Sequence, residues 1–278
     1  MTTHAPQIDL QAIEPKDRYK ALVENQIAKR DKFMTSHNRC IGCALLNDFC
    51  VCTKLDALKV PDAPFDVAVI MNQKEMYRSS NTVKVIERVL NARVLVDGVE
   101  NDKIDFENIL NKRKNILVLF PSEDSVEWPD FTSSQKFSAS TVSEEKLLIL
   151  IVDGTWRQAR RLNLRIPADV PRVKITPTTL SKFLCRRQAR EDRVCTIEAL
   201  SLLLQDMGEL DASAQLDKGL FTLLEGYNTQ CYGNTHRPSC MLKGLPSGKV
   251  ELQQHPDALI IESDKHFIRE PESRSRGE

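Results

Sequence analysis

No apolar run in this 278-residue sequence is long enough to cross a bilayer. The longest aliphatic stretch, Leu147 to Val152, has six residues, where a spanning helix needs about 20. The first residues, MTTHAPQIDLQAIEPKDRYK, lack the apolar region of a secretion signal and are too acidic for a typical transit peptide. The expected setting is therefore intracellular, cytoplasmic or nuclear, with no membrane partner. In such a reducing compartment cysteines serve more often as ligands or thiols than as disulfides. Net charge is missing too: 39 Lys and Arg balance 39 Asp and Glu. That balance argues against generic polyanion binding, and no DNA partner is expected. The five histidines are scattered, none at metal spacing or beside an obvious nucleophile, which weakens hydrolytic readings. No internal repeat is visible.

The charge that is present is unevenly placed. From Gly154 to Arg193 there are 11 Lys and Arg against 3 Asp and Glu. Such a segment could meet phosphates, or it could be a solvated face offset by acidic residues elsewhere in the fold.

Along the chain, Tyr19, Leu22, Val23 and Ile27 recur at helical spacing, which predicts a helix from about Glu14 to Ser36. FDVAVIMN, ARVLVDG, NILVLFPSE, LLILIVDG and PRVKIT are short β-branched runs bounded by turn residues. Helical segments lie between some of them, at Thr82 to Leu90, Asp105 to Asn111 and Thr155 to Asn163. This alternation predicts an α/β fold, a mostly parallel sheet with helices on both faces. The aperiodic, Ser/Thr-rich stretch Thr132 to Glu145 reads as a loop or lid. Beyond it, Ile197, Leu200, Leu204 and Met207 share one helical face, and a second helix is expected over about Ala214 to Tyr227. The expected division is a disordered tail over 1–13, a helical and cysteine-bearing extension over 14–60, a main α/β domain over 61–231, and a partly disordered extension over 232–278.

Cys40-x2-Cys43-x6-Cys50-x-Cys52 puts four thiols within thirteen residues. Tetrahedral zinc takes four soft ligands, and paired cysteines on two tight turns supply them. Gly42 would let one of those turns form. Four thiolates leave no open coordination position, so the expected zinc is structural. Cys185, Cys195, Cys231 and Cys240 have no ligand spacing.

Cysteine pairs followed in order by EMYRSSNT, LVLFPSE, LIVDGTWRQARR, CRRQ and CTIEAL resemble the DTW-domain family, tRNA-uridine aminocarboxypropyltransferases. The resemblance runs from about Cys40 to Met207. It implies a SPOUT-like, Rossmannoid sheet that holds S-adenosyl-L-methionine, and tRNA as partner. It also implies transfer of the 3-amino-3-carboxypropyl group to N3 of a uridine, with release of 5'-methylthioadenosine. Two positions depart from the family's usual pattern: Val83 stands where glycine often follows SNT, and Cys195 stands for serine. The number of subunits is not set by any of these segments.

Uridine N3 carries a proton, so a carboxylate beside it has work as a general base. Asp153 ends a buried strand, where open α/β sheets place ligands. Its alternatives are capping the next helix or orienting the cofactor. Trp156 could stack on a base, face the sulfonium, or anchor the core. Gly154 would allow close approach of a ligand or simply turn the chain, and Thr155 could bind the ligand or cap. Pro121 and Ser122 close another strand at the same edge, as a cofactor contact or an ordinary turn. The resemblance makes Thr196 and Glu198 cofactor residues, although Glu198 also suits a helix's first turn. Glu75, Asn81 and Thr82 are expected on the substrate side, or as caps. Arg157, Arg160, Arg161, Arg186 and Arg187 are the expected tRNA phosphate contacts. The competing functions are an RNA methyltransferase using the same cofactor and a non-catalytic, zinc-containing RNA-binding protein.

Overall fold

The computed structural model describes residues 9–133, 145–178, 180–183 and 193–232. Arg186, Arg187, most of the expected loop after Thr132 and the extension beyond Tyr232 lie outside the described residues. The chain opens with helix α1 (Arg18–Ser36), the cysteine segment and a short α2 (Cys52–Asp56). Strands and helices then alternate: β1 (Phe65–Asn72), α3 (Val83–Leu90), β2 (Arg93–Asp97), α4 (Glu100–Lys112) and β3 (Ile116–Leu119). There follow β4 (Val126–Glu127), α5 (Trp128–Thr132), β5 (Leu147–Asp153), α6 (Trp156–Asn163), β6 (Arg172–Lys174), α7 (Thr196–Asp206) and α8 (Leu210–Tyr232).

The strands form one six-stranded sheet in the order β2-β1-β5-β3-β6-β4, and every pairing is parallel. Central β5 runs beside β1, with Val69 opposite Ile151, and beside β3, with Leu119 opposite Ile151. Successive side chains point to opposite faces, so each strand feeds two cores. Val67, Val69, Leu117, Leu119, Ile149 and Ile151 enter one core, shared with α3, α7, α8 and the cysteine segment. Ala68, Ile70, Val118, Leu148, Leu150 and Val152 enter the other, beneath α4 and α6. Burial on both faces is what makes these runs apolar throughout, and it bears out the expected α/β architecture.

Element edges moved where the apolar signal was thin. The helix expected from Asp105 begins at Glu100. Its first turn carries Glu100 and Asp102, which suit the helix dipole but add no apolar stripe. The last helix runs from Leu210 to Tyr232, beyond the expected Ala214 to Tyr227. Strand β4 and helix α5 were not foreseen, since two strand residues and five helical ones are too few to show a period.

Candidate active site

The carboxyl ends of β1, β3 and β5 lie side by side, and the sheet order reverses there: β2 lies beyond β1, while β3 lies on the far side of β5. Open parallel sheets bind ligands at such a place. Asp153, the last residue of β5, is only 7 % exposed. Its Oδ2 accepts a hydrogen bond from the Asn81 amide at 2.9 Å, and its Oδ1 accepts one from the Thr196 hydroxyl at 2.6 Å. Three segments far apart in sequence thus meet on one carboxylate. Asp153 does not cap the following helix; Thr155 does, through a capping box with Gln158.

Asn81 does two things at once. Its Oδ1 accepts from the Val83 N–H at 2.9 Å, closing the start of α3, while its Nδ2 faces Asp153. Thr82 is buried beside it and gives α3 no side-chain cap. Glu75 is buried in the same loop, with Arg78 3.6 Å away.

Gly154 has φ +153°, a conformation L side chains rarely adopt. A Cβ there would lie 3.0 Å from Gln158 Cβ. A side chain at 154 would therefore crowd Gln158, whose amide also donates to Asn72 Oδ1 at 3.0 Å, at the end of β1. Trp156 is half-buried, its ring centroid 6.3 Å from that of Phe120. The Arg193 guanidinium lies over the Trp156 ring, 3.7 Å from its centroid. A cation thus already stacks on this indole. Sequence reasoning missed Arg193, Gln158 and Asn72, and only the charge of Arg193 hinted at a role.

Past β3, Pro121 is exposed. Ser122 Oγ is buried without a hydrogen-bond partner among the described residues. Buried hydroxyls are normally satisfied, so this one fits a bound polar ligand. Glu198 sits in α7's first turn. It accepts from the Ser181 hydroxyl at 2.6 Å and from the Cys195 N–H at 2.9 Å, as well as from the Lys182 N–H. It therefore caps α7 and fastens the 181–183 segment. Desolvation and the Glu198 charge push the Cys195 thiol well above its ordinary range, which leaves it protonated rather than nucleophilic.

The basic run divides by geometry. Arg165 pairs with buried Asp97, Lys182 with Asp217 at 3.1 Å, and buried Arg172 donates to the carbonyls of Ile166, Pro167 and Val170. Those cations are structural. Arg157, Arg160 and Arg161 instead stand exposed on α6, which starts at the Asp153 edge.

The four cysteine sulfurs lie within 4.8 Å of one another, with separations of 3.4, 3.6 and 3.8 Å among the bonded pairs. Ligands about 2.3 Å from a tetrahedral zinc would be about 3.8 Å apart, so the set fits. These distances are far beyond a disulfide's ~2.05 Å. Burial raises the Cys40 thiol, but bonds from the Cys43 backbone, Cys50 and Cys52 outweigh it and bring it down to about 7. Cys52 moves upward, first by burial and then by its bond to Cys40. The knuckle's left-handed residue is Ala44, with φ 60°, rather than Gly42. Gly42 is needed for space: a Cβ would lie 2.5 Å from Arg88 Nη2 and 2.9 Å from Cys52 Sγ.

A family model for the DTW domain matches residues 37–231. The chain belongs to the DTW-domain family, whose members are tRNA-modifying enzymes. The match takes in both the cysteine knuckle and the Asp153 edge. No solved structure matches the chain. Among the described residues, no helix is long and apolar enough to cross a membrane.

Proposed function

We propose that this protein transfers the 3-amino-3-carboxypropyl group of S-adenosyl-L-methionine to N3 of a tRNA uridine, releasing 5'-methylthioadenosine. The observation that carries the reading is Asp153, buried at the end of the central strand and held through both oxygens by neutral donors. An ionised carboxylate is an acceptor only, which suits it to take up a proton. Asp153 takes the N3 proton, and the N3 pair forms the bond to the γ-carbon. The C–S bond breaks with its electrons left on sulfur, turning the sulfonium into a neutral thioether. S-adenosylmethionine supplies the activated carbon, and the fold supplies its posture.

Ser122, with its unsatisfied hydroxyl, and Pro121, Gly154, Thr155, Thr196 and Glu198 fall to the cofactor side in this reading. Trp156 borders the reacting groups with Arg193 upon it. Glu75, Asn81 and Thr82 shape the uridine side. The exposed arginines of α6 meet tRNA phosphates, together with Arg186 and Arg187, while base contacts select the uridine. Zinc in the closed four-cysteine set supports the fold and takes no part in the chemistry.

The test is mass spectrometry of nucleosides and small-molecule products after incubation with unmodified tRNA and S-adenosylmethionine. Aminocarboxypropyluridine with methylthioadenosine is expected from the native protein and neither from Asp153→Ala. Methylated nucleoside with S-adenosylhomocysteine would replace this reading with methyl transfer.

A further inference from the structure

Lys84 occupies a position that ordinary helix energetics disfavour. It lies in the first turn of α3, where the helix dipole opposes a cation. It is also only 6 % exposed, and a buried ammonium is costly unless its protons are bonded. Its Nζ donates to the carbonyl of Cys43 at 3.0 Å and to the carbonyl of Arg78 at 2.5 Å. The first carbonyl belongs to one of the four clustered cysteines. The second also accepts the Asn81 N–H at 3.0 Å, and Asn81 is the residue whose amide holds Asp153.

Four residues on, Arg88 faces the same knuckle. It bonds Asp56 at 2.8 and 3.0 Å, and its guanidinium fills the space beside Gly42. Four thiolates around a divalent zinc leave a net negative cluster, which two cations on one face of α3 offset. Glu87 on the same helix lies within electrostatic reach of both Lys84 and Arg88, and a zinc-loaded knuckle would add to the negative charge these cations face.

We propose that Lys84 is a positioning residue that couples the metal knuckle to the Asp153 site. The path runs from Cys43 through the ammonium to the Arg78 carbonyl, and from there through Asn81 to the carboxylate. Metal binding then does more than staple the N-terminal segment: it fixes the turn that aims Asn81. The coupling holds for any reaction Asp153 performs, so it stands apart from the proposed aminocarboxypropyl transfer.

The experiment is amide hydrogen exchange on the full chain, zinc-loaded and after a strong zinc chelator. Residues 78–83 report the turn, 40–52 the knuckle, and α4 on the opposite sheet face is the reference. In the native protein, chelation speeds exchange at 78–83 by about tenfold or more over α4, as expected when a charge-assisted contact is lost locally. In zinc-loaded Lys84→Met the 78–83 segment is already fast and does not respond further to chelation, whereas Lys84→Arg, which keeps charge and donors, responds. The Lys84→Met protein keeps stoichiometric zinc by metal analysis and loses kcat with little change in the KM for tRNA. The proposal is overturned if chelation speeds 78–83 no more than α4, or if Lys84→Met responds like the native protein. Should Lys84→Met not fold, the native comparison between 78–83 and α4 still decides.

Discussion

Thr196 donates its hydroxyl to Asp153 Oδ1 at 2.6 Å, joining the first residue of α7 to the last residue of β5 across 43 positions of sequence. The bond fixes which way the carboxylate lies, because Asn81 holds the other oxygen. Thr196→Val keeps the shape and removes this donor, and losing a hydrogen bond to a buried charged group costs about 1–3 kcal/mol. The expected result is a drop in kcat of about tenfold or more, with the fold intact by circular dichroism and Thr196→Ser recovering most of the rate. Equal rates for Val and Ser at this position would show that the bond does not orient the Asp153 carboxylate.

If the exposed α6 arginines hold tRNA as proposed, their loss leaves cofactor binding alone. Replacing Arg157, Arg160 and Arg161 together by Ala should weaken tRNA binding and flatten its dependence on salt by about 1 in slope for each lost phosphate contact. S-adenosylmethionine binding, measured by calorimetry, should be unchanged. An unaltered salt slope would move the tRNA path to another face.

Close packing of α8 on α3 is set by a residue with no side chain. A Cβ on Gly219 would lie 2.4 Å from Val85 Cγ1, and the neighbour it meets belongs to the helix that carries Lys84. Gly219→Ala gains helix propensity of about 1 kcal/mol but overpacks at about 1–3 kcal/mol. Net destabilisation is expected, read as a lower denaturation midpoint. Combining it with Val85→Ala should cost less than the two single changes added together. Strict additivity would mean that the helices simply shift apart.

Tyr19 ties α1 to the end of β2 by donating to Asp97 at 2.6 Å. Burial first, then the bond to Asp97, raises its phenol from 10.0 to about 12. The folded state keeps the proton longer than the unfolded chain, so the contribution is full below pH 10 and is lost as pH rises towards 12. The stability advantage of the native protein over Tyr19→Phe should therefore narrow between pH 10 and 12, measured by urea midpoints at several pH values. A constant difference across that range would show that Tyr19 contributes by packing alone.

Much of this was legible in the sequence, for reasons of scale. β-branched runs of five to eight residues must be strands wherever both faces are buried, so LLILIVDG and FDVAVIMN announced the sheet without help from distant residues. Four cysteines within thirteen residues need only local turns to converge, so the knuckle could be read from spacing. Asp153 stood out because a carboxylate directly after such a strand must lie at a sheet edge.

Which partners meet is a matter of packing across the whole fold. Nothing local tells Asn81 and Thr196 to share one carboxylate, sets Arg193 on Trp156, or sends Lys84 to Cys43. Those contacts depend on strand order and on helices packing over long sequence separations. Buried polar groups must then find donors and acceptors among whatever neighbours the sheet brings. Local pattern was enough for the long strands and helices, the thiol cluster and the candidate carboxylate, but not for the short β4 and α5. The folded arrangement brings the cysteine knuckle, the Asn81 turn and Asp153 into one hydrogen-bonded path, because a buried charge can be held only by groups that packing places around it.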